Sequence, residues 1–301
     1  MKKLFLLLSI SLVYISCEKV IPFEGDVNIP KLVINSIFQS DSTFKVHVSS
    51  SRSVIDTASF QNIEDAVVTI KDDNGSIIET LNYVENGFYI GQTFPQENQT
   101  YTLQGTHPNY NNITSSDSLP SPITINSVDT SSIVDPINGD RLQITMNFND
   151  PENSQNYYLI ETYSINEYLV IKNSDTTDYE LDTTKQYMVL TDEVFQNGGS
   201  PWREQGLFND LLFNGQNKEL ELEIPFEDYS EIEIGYEWSY KTLGVRIYLH
   251  NISKSYYYYR TSLELYQSAS GNPFAQPVQV YSNIENGFGV FAGSQISIFD
   301  L

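Results

Sequence analysis

The sequence predicts an all-β protein of two β-sandwich domains, the first immunoglobulin-like and the second elaborated with one helix. Three observations predict it. Short apolar runs with a period of two recur along the chain, as in Leu142-Gln143-Ile144-Thr145-Met146-Asn147-Phe148, where alternate side chains would face a core. Polar turns separate these runs at the close, regular spacing of sandwich strands. The stretch Leu119-Pro120-Ser121-Pro122 then divides them into two groups, residues 31–120 and 121–301.

In the first group, Leu32-Val33-Ile34 and the alternation Phe44, Val46, Val48 read as strands. A run from Ala66 to Lys71 meets Asp72-Asp73-Asn74-Gly75 and is answered by Ser76 to Tyr83. Asn-Gly between two apolar runs signals a hairpin whose two central residues both tolerate positive φ. Gly87 to Ile90 and Tyr101 to Leu103 add further short strands.

The second group opens with Ile123, Ile125 and Val128, followed by the run that starts at Leu142. Tyr157 to Tyr163, Tyr168 to Ile171, Leu220 to Ile224, Glu231 to Tyr236 and Gly244 to Leu249 read as strands. Thr191 to Asn214 reads as an elaborated loop with a turn of helix around Leu207 to Phe213. One segment leaves the β pattern: Ser253 can cap a helix over Lys254 to Gln267, although Tyr256 to Tyr259 favour strands.

Ahead of both groups stands a targeting signal. Lys2 and Lys3 precede the apolar run Leu4 to Val13, which is too short to span a bilayer, and small Ser16 precedes Cys17, the single cysteine. Residues 1–16 are therefore expected to be a signal peptide, and 17–30 a tether lipidated at Cys17. Tyr14 departs from the aliphatic residue usual three positions before such a cysteine. Acyl chains on Cys17 would anchor the body to the outer membrane, its periplasmic or surface face undetermined.

Composition excludes several classes of function. The chain holds 16 Lys+Arg against 39 Asp+Glu, a net charge of −23. Without Lys2 and Lys3 the basic residues fall to 14 against the same 39 acidic ones, so the mature chain carries −25. Such a body repels nucleic acid and other polyanions. With no second thiol there is no intramolecular disulfide, and folding rests on the apolar core.

Catalytic signatures are absent from the sequence. His47, His107 and His250 are far apart, and no nucleophile elbow, phosphate loop or dinucleotide fingerprint occurs. No catalytic residue, metal site or cofactor is expected. Asp72-Asp73-Asn74-Gly75 lacks the spacing of a calcium loop and reads as a turn. Aromatics remain as ligand-binding candidates: Tyr236, Trp238 and Tyr240, with Tyr256 to Tyr259, could form a flat stacking platform, although sandwich cores consume tyrosines too. Asp117-Ser118-Leu119 is one of several tripeptides resembling the O-glycosylation acceptors of exported proteins.

Specific residues carry a family resemblance. Cys17-Glu18-Lys19-Val20-Ile21, Asp192-Glu193-Val194-Phe195, and Ile252-Ser253-Lys254 with Tyr256 and Tyr258-Tyr259-Arg260 are the first group. Asn272-Pro273-Phe274, Pro277, Asn283-Ile284, Asn286-Gly287, Gly289 and Phe291 are the second. Together they resemble the domain of unknown function 4249 family of Bacteroidetes lipoproteins. The resemblance implies a cell-envelope lipoprotein, often encoded near an outer-membrane TonB-dependent transporter, and it implies no reaction.

The expected function is thus a lipid-anchored, non-enzymatic accessory that helps a transporter capture or deliver a ligand whose identity the sequence leaves open. The alternative is an envelope hydrolase acting on glycan or peptide, suggested by surplus carboxylates and the Thr191 to Asn214 loop. An enzyme calls for a concave pocket with convergent titratable groups, and an accessory for an exposed apolar patch.

Overall fold

A computed structural model describes residues 29–53, 59–134, 139–152, 154–173, 176–195, 202–225, 240–270 and 274–301. The expected signal peptide, Cys17, Tyr236, Trp238 and the strand expected at 231–236 lie outside these residues. Among the described residues the architecture is all-β with one helix.

The first group of strands comprises β1 (Leu32–Phe38), β2 (Lys45–Ser50), β3 (Val67–Lys71), β4 (Ile77–Thr80), β5 (Asn82–Glu85), β6 (Phe88–Ile90), β7 (Thr100–His107) and β8 (Tyr110–Ser118). They pair in the orders β1-β2-β6-β5 and β4-β3-β7-β8. These are the orders of the two sheets of an immunoglobulin-type sandwich, with β4 as the added edge. Leu32, Ile34, Val46, Val48, Val68, Ile70, Leu103 and Ile113 alternate inward to build its core. Tyr101, at the start of β7, accepts a hydrogen bond on its hydroxyl from the Gln96 backbone N–H at 2.7 Å. That is the tyrosine corner of the immunoglobulin fold, a signal the strand reading of Tyr101 to Leu103 passed over.

Two details of the first sandwich differ from expectation. Of the Asn74-Gly75 pair, only Gly75 has positive φ (+80°), so the turn needs one left-handed residue rather than two. Asp72 organises it instead, its Oδ1 accepting from the N–H groups of Asn74 and Ser76. Ser76 to Tyr83 is also two strands. Leu81 is buried and donates its N–H to Val68, and there the chain leaves one sheet and enters the other.

The second group comprises β9 (Ile125–Ile133), β10 (Arg141–Asn149), β11 (Tyr157–Asn173), β12 (Thr176–Lys185), β13 (Met188–Val189), β14 (Trp202–Arg203), β15 (Gly206–Asn209), β16 (Asn217–Pro225) and β17 (Tyr240–Ile252). Helix α1 (Lys254–Ala269) and β18 (Phe288–Asp300) complete the chain. One sheet runs β14-β13-β16-β10-β9, and the facing one contains β12-β11-β17-β18. Ile144, Met146, Phe148, Tyr158, Ile160, Phe208, Leu222, Ile247 and Leu249 fill the space between them. The runs at Tyr157 and Tyr168 belong to one strand, β11. The helical turn expected at Leu207 to Phe213 is instead β15 followed by a turn, because Leu207 and Phe208 pair with Leu159 and Tyr158 of β11.

Helix α1 starts where the sequence places it. Ser253 has extended backbone and its Oγ accepts from Tyr256 N–H at 3.3 Å. Its tyrosines are shared among its faces, so Tyr256, Tyr257 and Tyr258 do not lie on one flat surface. Tyr256 and Tyr257 pack against Tyr157, Leu159 and Ile252, while Tyr258 turns outward.

β18 joins the two sandwiches. Its first half pairs in parallel with β1, from Val33↔Phe288 to Phe38↔Gly293. Its second half pairs antiparallel with β17, from Ile252↔Ser294 to Arg246↔Asp300. At the handover, a Cβ on Gly293 would collide with the Ser118 carbonyl oxygen, so glycine is required for the close approach. Ile284 and Phe291 accordingly pack in the core of the first sandwich, far in sequence from the 32–119 residues around them.

Candidate ligand site at the junction of the sandwiches

The end of β8, the start of β11, the end of β17 and the N-terminus of α1 meet around a cavity of about 290 Å³. Each element contributes through its end, because the strands stop where the chain passes from one sandwich to the other. Asp117 comes from β8, Gln155 and Asn156 precede β11, Tyr157 opens it, Asn251 closes β17, and Lys254 opens α1.

Asp117 is the electrostatic centre of this junction. Its Oδ2 accepts from Ser253 Oγ at 2.5 Å and its Oδ1 from Ser118 N–H at 2.9 Å. Burial, only partly offset by hydrogen bonds from Ser253, Ser118, Ser255 and Gly293, pushes its carboxyl up to about 6. Ser253 thereby does two jobs, accepting at the helix cap and donating to the acid. Tyr157 is only 4% exposed, and burial together with the neighbouring Tyr258 hydroxyl raises its own hydroxyl to about 12. In the sequence Asp117 belongs only to a glycosylation-like tripeptide and Tyr157 only to a strand. A polar residue directly before a Pro-bounded boundary was the available signal.

Behind Asn156 lies a second polar knot. Asp150 accepts from Tyr158 hydroxyl, from Asn156 Nδ2 at 3.2 Å and from Gly215 N–H at 2.8 Å. Asn156 also donates its backbone N–H to Asp210 Oδ2 at 2.7 Å. Burial and the nearby Asp150 raise the Asp210 carboxyl, and burial with Asp150 raises Tyr158. These groups close the end of the second core by fixing the loops at 150–156 and 210–215.

The three histidines stay apart. His47 contacts Asn62 at 3.2 Å, and His107 pairs with Asp65 at 2.8 Å. His250 Nδ1 lies 3.2 Å from Ser294 Oγ, and its Nε2 lies 3.6 Å from Glu161. Burial alone would raise Glu161, but His250 and the Lys185 ammonium at 2.6 Å bring it down to about 2. Ser294, His250 and Glu161 follow the order of a nucleophile, base and orienting acid. Ser294 is, however, 1% exposed and lines neither described cavity. Among the described residues no group of three or more His, Cys, Asp or Glu is placed to hold a metal ion.

Tyr240 begins β17. A larger cavity, about 770 Å³, lies at the opposite end of the first sandwich, between Lys31, Arg52, Tyr110 and Phe288. No described helix is long and apolar enough to cross a membrane.

Among the described residues these features define an all-β protein with one capped helix and a polar cavity between its sandwiches. The family described as Domain of unknown function (DUF4249) matches residues 18–298, nearly the whole chain, and the protein belongs to it. No curated protein matches the chain.

Proposed function

We propose that the protein is a lipid-anchored, non-enzymatic accessory of the outer membrane that docks on a transporter through the outward face of α1 and holds ligand at the junction cavity. The observation that carries this reading is the apolar stripe of α1. Tyr258, Leu265 and Tyr266 are exposed at spacings of seven and eight residues, on one face of a helix that buries no residue completely. The inner face of α1 is held by Tyr157 and by Glu264, which accepts from Gln205 Nε2 at 2.7 Å. The stripe is therefore free to meet a second protein without disturbing the fold.

Lipid on Cys17 would keep the body beside integral proteins of the same membrane, which favours a transporter as the partner. The hydrolase alternative has Ser294, His250 and Glu161 as its best constellation, and the burial of Ser294 counts against it.

Cross-linking in native membranes, followed by purification of the detergent-solubilised complex, tests the proposal. Leu265→Glu with Tyr266→Glu should abolish partner recovery while the melting temperature holds. Recovery of the same partner by that variant would sink the docking face, and membrane retention of Cys17→Ala would sink the anchor.

A further inference from the structure

The larger cavity, about 770 Å³ at the end of the first sandwich opposite the junction, takes no part in the ligand site or the docking face. Its described lining holds two cations, Lys31 and Arg52, and no Asp or Glu, in a chain whose net charge is −23. Both cations lie over aromatic rings, the Lys31 ammonium 5.1 Å from the Phe288 centroid and the Arg52 guanidinium 4.2 Å from that of Phe60. The mouth is fixed, because Lys31 donates its N–H to Ser51 Oγ at 2.9 Å and its carbonyl accepts from Ser51 N–H at 2.8 Å. Asp65 nearby is held at 2.8 Å by His107, the residue before Pro108 of the lining.

Apolar side chains stand in water around these cations. Ile29 is 83% exposed, Phe60 69% and Phe288 42%. Bases set among exposed rings are the composition that seats a protein at the headgroup level of a membrane, where phosphates meet the cations and the rings enter the acyl boundary. Connectivity selects that occupant. Ile29 and Pro30 line the cavity themselves, so the chain enters the body at this mouth, twelve residues after Cys17. At 3.3–3.6 Å per extended residue, a lipid on Cys17 lies at most about 40 Å along the chain from it. β18 starts at the same mouth with Phe288 and runs 13 residues to Asp300, roughly 40 Å at the rise of a strand. Leu243, three residues before the Arg246 that pairs with Asp300, therefore marks the far end of the body.

We propose that this end of the first sandwich seats on the phospholipid surface that holds the Cys17 anchor, with Lys31 and Arg52 against headgroup phosphates and Ile29, Phe60 and Phe288 at the acyl boundary. The inference rests on the lipid-anchored reading above and adds the orientation of the body. Net negative charge opposes adsorption on an anionic surface, so the anchor recruits the protein and the patch orients it. Screening limits the patch to charges within about 8 Å of the headgroups, so only residues at the contact count.

Orientation is read on the lipidated full chain in vesicles of phosphatidylethanolamine and phosphatidylglycerol, prepared with and without brominated acyl chains that quench tryptophan. Phe60→Trp and Phe288→Trp should each lose fluorescence to the brominated lipid beyond the background of Trp202 and Trp238, and Leu243→Trp should not. Phe60 is exposed, so its replacement keeps the fold even if Phe288→Trp, on β18, perturbs it. Adding Lys31→Glu with Arg52→Glu to Phe60→Trp should lower the ratio of seated to unseated molecules at least about tenfold, each base at an anionic surface being worth about fivefold. No added quenching at either aromatic site, equal quenching of Leu243→Trp, or quenching unchanged by the charge reversal would each overturn the inference. Relief of the quenching by inorganic phosphate would overturn it in favour of a soluble-anion site, and a concentration-dependent tryptophan shift without vesicles in favour of a contact between copies. A chain that stays on the vesicles after Cys17→Ala refutes the anchor, whereas a lipidated chain that stays on them unquenched refutes the seat alone.

Discussion

The two sandwiches bury different things. Among the described residues, the buried polar side chains of the first are all serines: Ser36, Ser49, Ser50 and Ser115. The second buries Asp150, Thr162, Asn166, Asp210, His250 and Asn251. A core whose buried polar groups are hydroxyls alone rests chiefly on apolar packing, so the first sandwich works as a mount with a regular strand order. Buried acids and amides must be matched bond by bond, and the second sandwich pays for them with long strands and fixed loops. What chemistry the molecule has is concentrated in the second sandwich and at its junction with the first.

The strongest challenge to this division is Phe291→Ala. Phe291 belongs to the closing strand yet is fully buried against Phe38 in the first core, ring centroids 4.7 Å apart. Its loss should lower stability by about 3–5 kcal/mol in a denaturant titration. Probes in the two sandwiches should report one transition. Two separated transitions would show that the mount folds without the closing strand.

Asp150→Ala should cost somewhat less, about 2–3 kcal/mol, because it strands the buried Tyr158 hydroxyl and the Gly215 N–H. Chemical denaturation measures it. A cost under about 0.5 kcal/mol would mean that water replaces the carboxylate and that the polar knot is not structural.

Acid separates the junction from the second sheet by sign. Asp117 is raised from 3.8 to about 6, so the folded state holds its proton more tightly than the unfolded one. Stability from this group is therefore gained as pH falls from about 6 to 3.8. Glu161 is lowered from 4.5 to about 2, so its contribution is complete above 4.5 and lost as pH falls toward 2. Asp117→Asn should raise the melting temperature at pH 7, by about 1–2 kcal/mol of stability, and abolish the gain between pH 6 and 4. A variant less stable than the parent at pH 7 would show that the hydrogen bonds to the charged form outweigh its burial.

The smallest effect is Tyr101→Phe, which removes one hydrogen bond to Gln96 and should cost about 1 kcal/mol. No measurable change in melting would mean that the corner is held by the Tyr101 ring, which packs 5.0 Å from Phe44, alone.

Local patterns were legible in the sequence. The alternation from Leu142 to Phe148 becomes β10, and Ser253 caps the helix, because pattern and cap act within a few residues. Elements decided by distant partners were not. Leu207 and Phe208 have no helical or strand preference of their own that outweighs pairing with β11, and Leu81 switches sheets because Val68 accepts its N–H. Phe288 to Gly293 reads as a glycine-rich closing strand, and nothing in it names β1 as its neighbour. The junction residues were missed for the same reason. Asp117, Tyr157 and Ser253 are unremarkable one by one, and only the fold brings them together.

The β1–β18 pairing also sets how the molecule carries load. β1 begins at the N-terminal end of the body, and β18 runs parallel to it before continuing into the second sandwich. A pull on the N-terminus against resistance at the second sandwich drags these two strands past one another lengthwise. Their backbone hydrogen bonds span the gap across the direction of pull, so the six paired positions are stretched together rather than peeled one at a time. The ladder that closes the fold is thus a shear clamp, placed on the direct line between the N-terminus and the farther domain.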